Sequence, residues 1–205
     1  MLASGSLLGL PPLFAAALAV TLMAVVSGAM GEDALADAAD GLWGGHSAER
    51  RLAIMKDSRH GSYGVAALCL FIVLRVTALG SVAATSPLAA AALWLAAQIT
   101  GRSGSLWLAV ALPSARAEGA SAAVGRLPAM RFAIGAMFAA LLMVILAGPA
   151  THLGALAVAL SASVAVAAAW SGLCRRLVGG QTGDLIGALG ALLEITVLTA
   201  LLPFV

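Results

Sequence analysis

Residues 132–174 read FAIGAMFAALLMVILAGPATHLGALAVALSASVAVAAAWSGLC and contain no Asp, Glu, Lys or Arg. A helix needs about 20 apolar residues to cross the hydrocarbon core of a bilayer, so this stretch is long enough for two spans. Residues 1–31 also carry no charged side chain. The whole chain is 62% hydrophobic and 10% charged, whereas soluble domains are roughly 45–50% apolar. A water-soluble globular protein is excluded, and the first partner is the lipid bilayer.

The apolar runs predict an all-α, polytopic membrane bundle. Breaks at charged or Gly/Pro-rich positions give about six transmembrane helices, at approximately 8–30, 62–84, 87–112, 129–148, 152–174 and 185–205. A cleaved signal peptide is the alternative for the first run, which however lacks a basic n-region and exceeds the roughly 7–15 residues of an h-region. The absence of a repeat or a β-strand pattern predicts a single transmembrane domain over 1–205.

The positive charges alternate between the connections that join these helices. The first connection holds four Lys or Arg, the third holds three, the fifth holds two, and the second and fourth hold none. Because basic residues collect on the cytoplasmic side, the first, third and fifth connections are predicted to face the cytoplasm. A net charge of +2 provides no broad basic surface, so no nucleic-acid partner is expected. The sequence is compatible with a monomer and with a homo-oligomer.

Six of the nine acidic residues lie between positions 32 and 57, at the cytoplasmic end of the first span. If the helix continues, Asp33, Asp37 and Asp40 share one face, because they are spaced at i, i+4 and i+7. Three carboxylates on one face repel each other, and a divalent cation removes that repulsion. Mg²⁺ is commonly held by one or two carboxylates together with substrate phosphates. The alternative is a solvated acidic turn at the membrane interface.

Basic residues follow this acidic face, namely Arg50, Arg51, Lys56 and Arg59. Cations beside a metal-binding face suit a diphosphate, since Arg presents a planar fork to phosphate oxygens and Lys a point charge. Membrane orientation alone is the alternative interpretation. It accounts for the number of positive charges, but not for Asp57 or for the small neighbours Ser58 and Gly61.

Three charged side chains are predicted deep in the bilayer: Arg75, Arg102 and Glu194. Arg102 and Glu194 both lie roughly 14–15 Å below the cytoplasmic surface at about 1.5 Å of rise per residue, so the two are able to meet. Charges inside a membrane are costly and are usually paired and functional, with a purely structural ion pair as the alternative. Gly101 and Gly104 indicate a broken helix that lines a polar cavity.

The fifth connection reads Gly179-Gly180-Gln181-Thr182-Gly183-Asp184. It is not a Walker loop, because the Gly-Lys-Ser/Thr ending is absent. Its glycines are expected to end one helix while Thr182 or Asp184 caps the next. The functional alternative is that Asp184 adds a carboxylate to the same cytoplasmic face as the acidic residues above.

Residues 34–42 (ALADAADGL), 49–64 (ERRLAIMKDSRHGSYG) and 179–184 (GGQTGD) together resemble the cobalamin synthase family, the adenosylcobinamide-GDP ribazoletransferases. The middle segment is the most specific of the three. The similarity runs in the same order from about residue 10 to the C-terminus and includes Gly101-Arg102, Pro113, Arg116 and Glu194. Family members have a further N-terminal span that this sequence lacks, and His-Leu-Asp-Gly in place of Gly31-Glu32-Asp33-Ala34.

The resemblance implies a Mg²⁺-dependent transferase of the bacterial cytoplasmic (inner) membrane, with its active-site loops in the cytoplasm. α-Ribazole, or its 5′-phosphate, would attack the cobinamide-linked phosphorus of adenosylcobinamide-GDP and release GMP. The implied metal ligands are Asp33, Asp37 and Asp40, with Lys56 and Arg59 neutralising phosphate oxygens and Asp57 or Asp184 accepting the hydroxyl proton. The implied substrate-binding residues are Arg50, Arg51, Ser58, Arg102, Thr182, Gly183 and Glu194.

Two other classes of membrane protein share part of the pattern. Asp37-Ala38-Ala39-Asp40-Gly41 matches the D-x-x-D-G opening of CDP-alcohol phosphotransferases, but Gly44-Gly45 replace the Ala-Arg of that family and no second acidic pair follows. A small transporter or a non-catalytic membrane subunit would use the intramembrane charges as a substrate or ion path. No inverted repeat supports a transporter.

Overall fold

The computed structural model describes residues 2, 5, 8–57, 59–116 and 125–205. Within these ranges the chain is helical and has no strand, apart from one isolated parallel bridge between Ser114 and Gln181. The helices are α1 (Pro12–Ser27), α2 (Met30–Gly44), α3 (Ala48–Ile54), α4 (Ser62–Ala83), α5 (Pro87–Ser105), α6 (Trp107–Ala111), α7 (Ala129–Ala147), α8 (Leu153–Val178) and α9 (Gly183–Leu201). Short 3₁₀ turns, Gly148–Ala150 and Leu202–Phe204, follow α7 and α9.

Four helical stretches in the described part are long and apolar enough to cross a bilayer: Ser62–Ala83, Ala129–Ala150, Leu153–Val178 and Gly183–Phe204. α1 and α2 supply a fifth if they are taken as one span bent by 87°. The prediction of about six spans is therefore approximate, while the polytopic helical architecture is confirmed. The stretch predicted over 87–112 is divided into α5 and α6 and is not among the apolar candidates.

The predicted first span, 8–30, ends in a turn that the sequence pattern did not indicate. Gly28 and Ala29 have φ values of 64° and 54°. Two successive left-handed residues cannot continue a right-handed helix. Four of the clustered acidic residues consequently lie on a separate helix, α2, which packs against α4 and α9: Glu32, Asp33, Asp37 and Asp40.

The connections separate into two groups at opposite ends of the bundle. The first, third and fifth meet at one end, where Arg51 Nη1 donates to Leu177 O at 3.2 Å and Gln181 N–H donates to Pro113 O at 2.8 Å. At the other end, the rings of His152 and Phe204 pack edge to face with centroids 5.0 Å apart. The end that carries the basic connections is called the basic end below.

α9 is the central helix and packs against α2, α5 and α8. Its apolar side chains Leu185, Leu189 and Leu193 are buried in that core. Contact with α5 is backbone to backbone, because a Cβ at Gly101 would lie 2.6 Å from Gly190 O. Small residues permit such close approach of membrane helices. This packing places Arg102, the next residue of α5, beside α9.

Candidate active site

A cavity of about 650 Å³ lies between α1, α2, α4, α5 and α9. Five of the predicted site residues line it: Asp33, Arg102, Gly183, Asp184 and Glu194. Its other polar lining residues are Ser27, Glu32, Arg75, Gln98 and Ser105. Residues far apart in sequence and placed on five helices therefore meet at one site.

One wall of the cavity is a buried charged cluster centred on Arg75. Arg75 Nη1 donates to Glu32 Oε1 at 2.7 Å, and Arg75 Nη2 donates to Glu194 Oε2 at 2.9 Å. Trp94 Nε1 donates to Glu194 Oε1 at 2.8 Å. The Arg75 guanidinium also lies 4.0 Å from the centroid of the Phe71 ring. Arg75 and Glu194 are only 3% and 4% exposed, so these contacts compensate charges that are costly to bury.

The structure does not pair Arg102 with Glu194, although the sequence allowed them to meet. Their helices do lie at the same level, since a Cβ at Gly101 would be 3.3 Å from Glu194 N. It is Gly101 that faces α9, whereas Arg102 lines the cavity with its Nε 3.4 Å from Gln98 Oε1. Glu194 takes Arg75 of α4 as its partner instead. Depth alone does not distinguish between two helices at the same level.

The aspartates of α2 differ in their surroundings. Asp40 is buried, and its carboxylate accepts the N–H of Gly61 at 2.6 Å and of Gly64 at 2.8 Å. It therefore caps the N-terminus of α4, satisfying donors that have no partner within that helix. Asp33 is exposed to the cavity, and Asp37 lies within electrostatic reach of Asp33, Asp40 and Asp184.

Among the described residues, no three His, Cys, Asp or Glu side chains are placed to hold a metal between them. Asp33, Asp37 and Asp40 are thus not a preformed ligand set, because Asp40 is turned towards α4. Mg²⁺ requires only one or two carboxylates when phosphate oxygens and water complete its shell. Asp33, Asp37 and Asp184 are oxygen donors of suitable chemistry at or beside the cavity. The residues fit a Mg²⁺ ion shared with a substrate phosphate.

The basic residues of the first connection lie outside the cavity lining. Arg51 Nε donates to Leu42 O at 3.1 Å and Arg51 Nη1 donates to Leu177 O, which ties α3 to the ends of α2 and α8. Arg50 and Lys56 are exposed at the basic end. Ser58 lies outside the described residues. The phosphate-binding roles expected of Arg50 and Lys56 stay predictions.

Asp57 and Arg59 form an exposed ion pair of 2.7 Å, with side chains 39% and 87% exposed. Hydrogen bonds from the Arg59 side chain and backbone lower the pKa of Asp57 to about 2. A carboxylate with so low a pKa accepts a proton poorly near neutral pH. Of the two expected proton acceptors, Asp184 is therefore the better candidate.

The fifth connection is organised around two helix ends. α8 ends at Val178 and is followed by Gly179, whose φ is 78°. At the start of α9, Thr182 Oγ1 accepts the Leu185 N–H at 3.2 Å. The expected glycine stop and Thr182 cap are confirmed. Asp184 lines the cavity, and its Oδ2 accepts a hydrogen bond from Arg116 Nη2 at 3.3 Å.

A family model described as cobalamin-5-phosphate synthase matches residues 1–202. The chain belongs to the cobalamin-5-phosphate synthase family. Three proteins named adenosylcobinamide-GDP ribazoletransferase are similar to it. The Azorhizobium caulinodans protein is 46% identical over 96% of this chain and 75% of its own length. The Sinorhizobium sp protein is 45% identical over 92% of this chain and 73% of its own length. The Bradyrhizobium diazoefficiens protein is 40% identical over 97% of this chain and 74% of its own length. No solved structure matches.

Membership of the cobalamin-5-phosphate synthase family confirms the resemblance and favours it over the CDP-alcohol phosphotransferase alternative. The structure adds Arg75, Glu32, Gln98 and Arg116 to the residues at or next to the site. Arg75 was recognisable in the sequence as a charge inside an apolar run. Nothing in the sequence identified Glu32 and Glu194 as its partners. Gln98 gave no signal, because an amide within a helix is common.

Proposed function

We propose that the chain is a membrane-bound adenosylcobinamide-GDP ribazoletransferase. It transfers the adenosylcobinamide-phosphate group to α-ribazole, or to α-ribazole 5′-phosphate, and releases GMP. The observation that carries this proposal is the cavity, in which Asp33, Asp184 and Arg102 converge from three helices in a chain of this family. Acidic oxygen donors beside a cation are what transfer at a diphosphate requires.

In the proposed reaction a ribazole hydroxyl forms a bond to the cobinamide-linked phosphorus, and the bond from that phosphorus to GMP breaks. The hydroxyl proton passes to Asp184, whose Oδ1 has no partner among the described residues. Mg²⁺, when bound by Asp33 and Asp37 together with phosphate oxygens, would neutralise the diphosphate. Phosphoryl transfer asks the protein mainly for positioning and charge neutralisation, which these residues supply.

Arg102 is the protein cation that we assign to the phosphate oxygens. Among the described residues, no carboxylate forms an ion pair with Arg102, and the one hydrogen-bond partner of its side chain is Gln98. The other arginine of the cavity, Arg75, is occupied by Glu32 and Glu194. A guanidinium without a carboxylate partner is free to form a bidentate contact with a phosphate.

We place the reaction at the cytoplasmic face of the bacterial inner membrane. The basic connections lie together at the end of the bundle that carries Asp184 and the start of α4. The positive-inside rule assigns such an end to the cytoplasm. Water-soluble nucleotide substrates reach the site from that side.

The experiment is an assay of GMP release by the purified protein in lipid nanodiscs. It supplies adenosylcobinamide-GDP, α-ribazole and Mg²⁺, and follows GMP and the corrinoid product by chromatography. We expect release to require both substrates, to stop with EDTA and to return with added Mg²⁺. Asp33→Asn should abolish release at unchanged protein abundance, while Glu49→Gln, which alters an exposed acid of the basic end, should not. Folded wild-type protein that releases no GMP would contradict the proposal.

A further inference from the structure

Arg116 connects the third connection to the proposed site. Its Nη2 lies 3.3 Å from Asp184 Oδ2 and 3.4 Å from Leu52 O in α3. The Arg116 and Asp184 side chains are only 20% and 25% exposed. A single guanidinium therefore joins the first connection, the third connection and the first turn of α9.

The backbone on both sides of this ion pair is held in place. Ala115 N–H donates to Gln181 O at 2.8 Å, and Gln181 N–H donates to Pro113 O at 2.8 Å. Gly180 permits this contact, because a Cβ there would lie 2.6 Å from Pro113 O. Such anchoring separates the pair from the usual exposed ion pair, in which two long side chains must be ordered at an entropic cost.

The ion pair leaves the two oxygens of Asp184 in different states. Oδ2 is contacted by Arg116 and, at 3.4 Å, by Thr182 Oγ1. Oδ1 has no hydrogen-bond partner in the described part of the chain, and Asp184 lines the cavity. We propose that Arg116 is a positioning residue that holds Asp184 by Oδ2 so that Oδ1 meets the substrate. This inference rests on the proposed transferase function.

Charge gives a second reason for the presence of Arg116. Asp184 and Asp37 are close enough to repel each other, and the Arg116 guanidinium offsets the negative charge of Asp184. Without Arg116, Asp184 would keep only the longer contact with Thr182 among the described residues and would be repelled by Asp37. Loss of orientation lowers turnover more than substrate binding, because the reacting geometry is then reached less often.

The test compares Arg116→Gln with Arg116→Lys and with Arg126→Gln, an exposed arginine of the same connection. In the GMP assay we expect Arg116→Gln to lower kcat by about tenfold or more, with KM for adenosylcobinamide-GDP changing by less than about threefold. Arg116→Lys, which keeps the charge, should recover part of kcat. Arg126→Gln should match wild type. An unchanged kcat in Arg116→Gln would overturn the inference.

A double-mutant cycle with Asp184→Asn distinguishes positioning from a merely structural role. If Arg116 acts through Asp184, the double variant is no slower than Asp184→Asn alone. If instead the losses in kcat of the two single variants multiply in the double variant, the inference is overturned. The melting temperatures of the same four proteins form a second cycle that needs no activity. Additive shifts would refute the ion pair, whereas absence of GMP release from wild type would refute the transferase function and leave the pair intact.

Discussion

Asp40 Oδ1 accepts the N–H of Gly64 at 2.8 Å, which joins the acidic helix α2 to the first turn of α4. The second oxygen accepts the Gly61 N–H. The helical spacing predicted that Asp40 is a metal ligand. In the structure this residue of α2 caps the N-terminus of another helix, α4. Gly64 is required at this contact, because a Cβ there would collide with the Asp40 carboxylate.

We expect Asp40→Ala to lower the free energy of unfolding by about 2–3 kcal/mol, because it removes a cap and leaves two amide donors without their acceptor. Asp40→Asn should cost less, since its amide oxygen still accepts one of the two N–H groups. Thermal unfolding in detergent measures both. Asp33→Asn is the matched control, since the side chain of this exposed aspartate makes no hydrogen bond to a described residue. Equal melting of Asp40→Ala and Asp33→Asn would refute the cap.

The close approach of α5 and α9 gives a prediction about packing. A Cβ at Gly101 would lie 2.6 Å from Gly190 O, so Gly101→Ala must push the two helices apart. We expect a loss of about 1–3 kcal/mol in stability, as for other overpacked sites. Gly135→Ala on α7 is the control, because a Cβ there meets nothing within 4 Å and helix propensity favours Ala by up to about 1 kcal/mol. Similar melting of the two variants would contradict the packing.

Hydropathy was sufficient to predict the long helices. The runs at 62–84, 129–148, 152–174 and 185–205 correspond to α4, α7, α8 and α9, because burial in lipid demands continuous apolar length whatever the packing. The bend at Gly28 and Ala29 was not predictable in this way. It is a change of backbone dihedral within an uncharged stretch, and it leaves no mark in composition.

Part of the cavity lining was predictable from the sequence, but the pairings between its residues were not. Asp33, Arg102, Asp184 and Glu194 do line one cavity. Periodicity, however, states which residues share a helix face and not which helix lies opposite, so it could not show that Asp40 faces the start of α4. The rise per residue likewise predicted the depth of Glu194 in the membrane. It did not predict how α9 and α4 are rotated about their axes, and this rotation brings Arg75 to Glu194.

The buried cluster predicts a strong effect of Arg75. Arg75→Ala leaves Glu32 and Glu194 without their cation, and breaking a buried charge pair costs about 3–5 kcal/mol. We expect a large fall in melting temperature and in the yield of folded protein. Arg131→Ala, which removes an exposed arginine at the start of α7, should leave both unchanged. Size-exclusion profiles and thermal unfolding measure the difference, and a stable Arg75→Ala protein would show that the cluster does not hold α2, α4 and α9 together.

Arg102 and Arg51 should respond in opposite ways to the same substitution. Arg102 lines the cavity without a carboxylate partner, whereas Arg51 donates to the carbonyls of Leu42 and Leu177. A hydrogen bond to a charged group contributes about 1.5–3 kcal/mol, so Arg102→Gln should raise KM for adenosylcobinamide-GDP by about 10–100-fold at unchanged melting temperature. Arg51→Gln should instead lower the melting temperature and leave KM within about twofold of wild type in the protein that remains folded. Each variant is the control for the other. An elevated KM in Arg51→Gln with normal KM in Arg102→Gln would move the phosphate site from the cavity to α3.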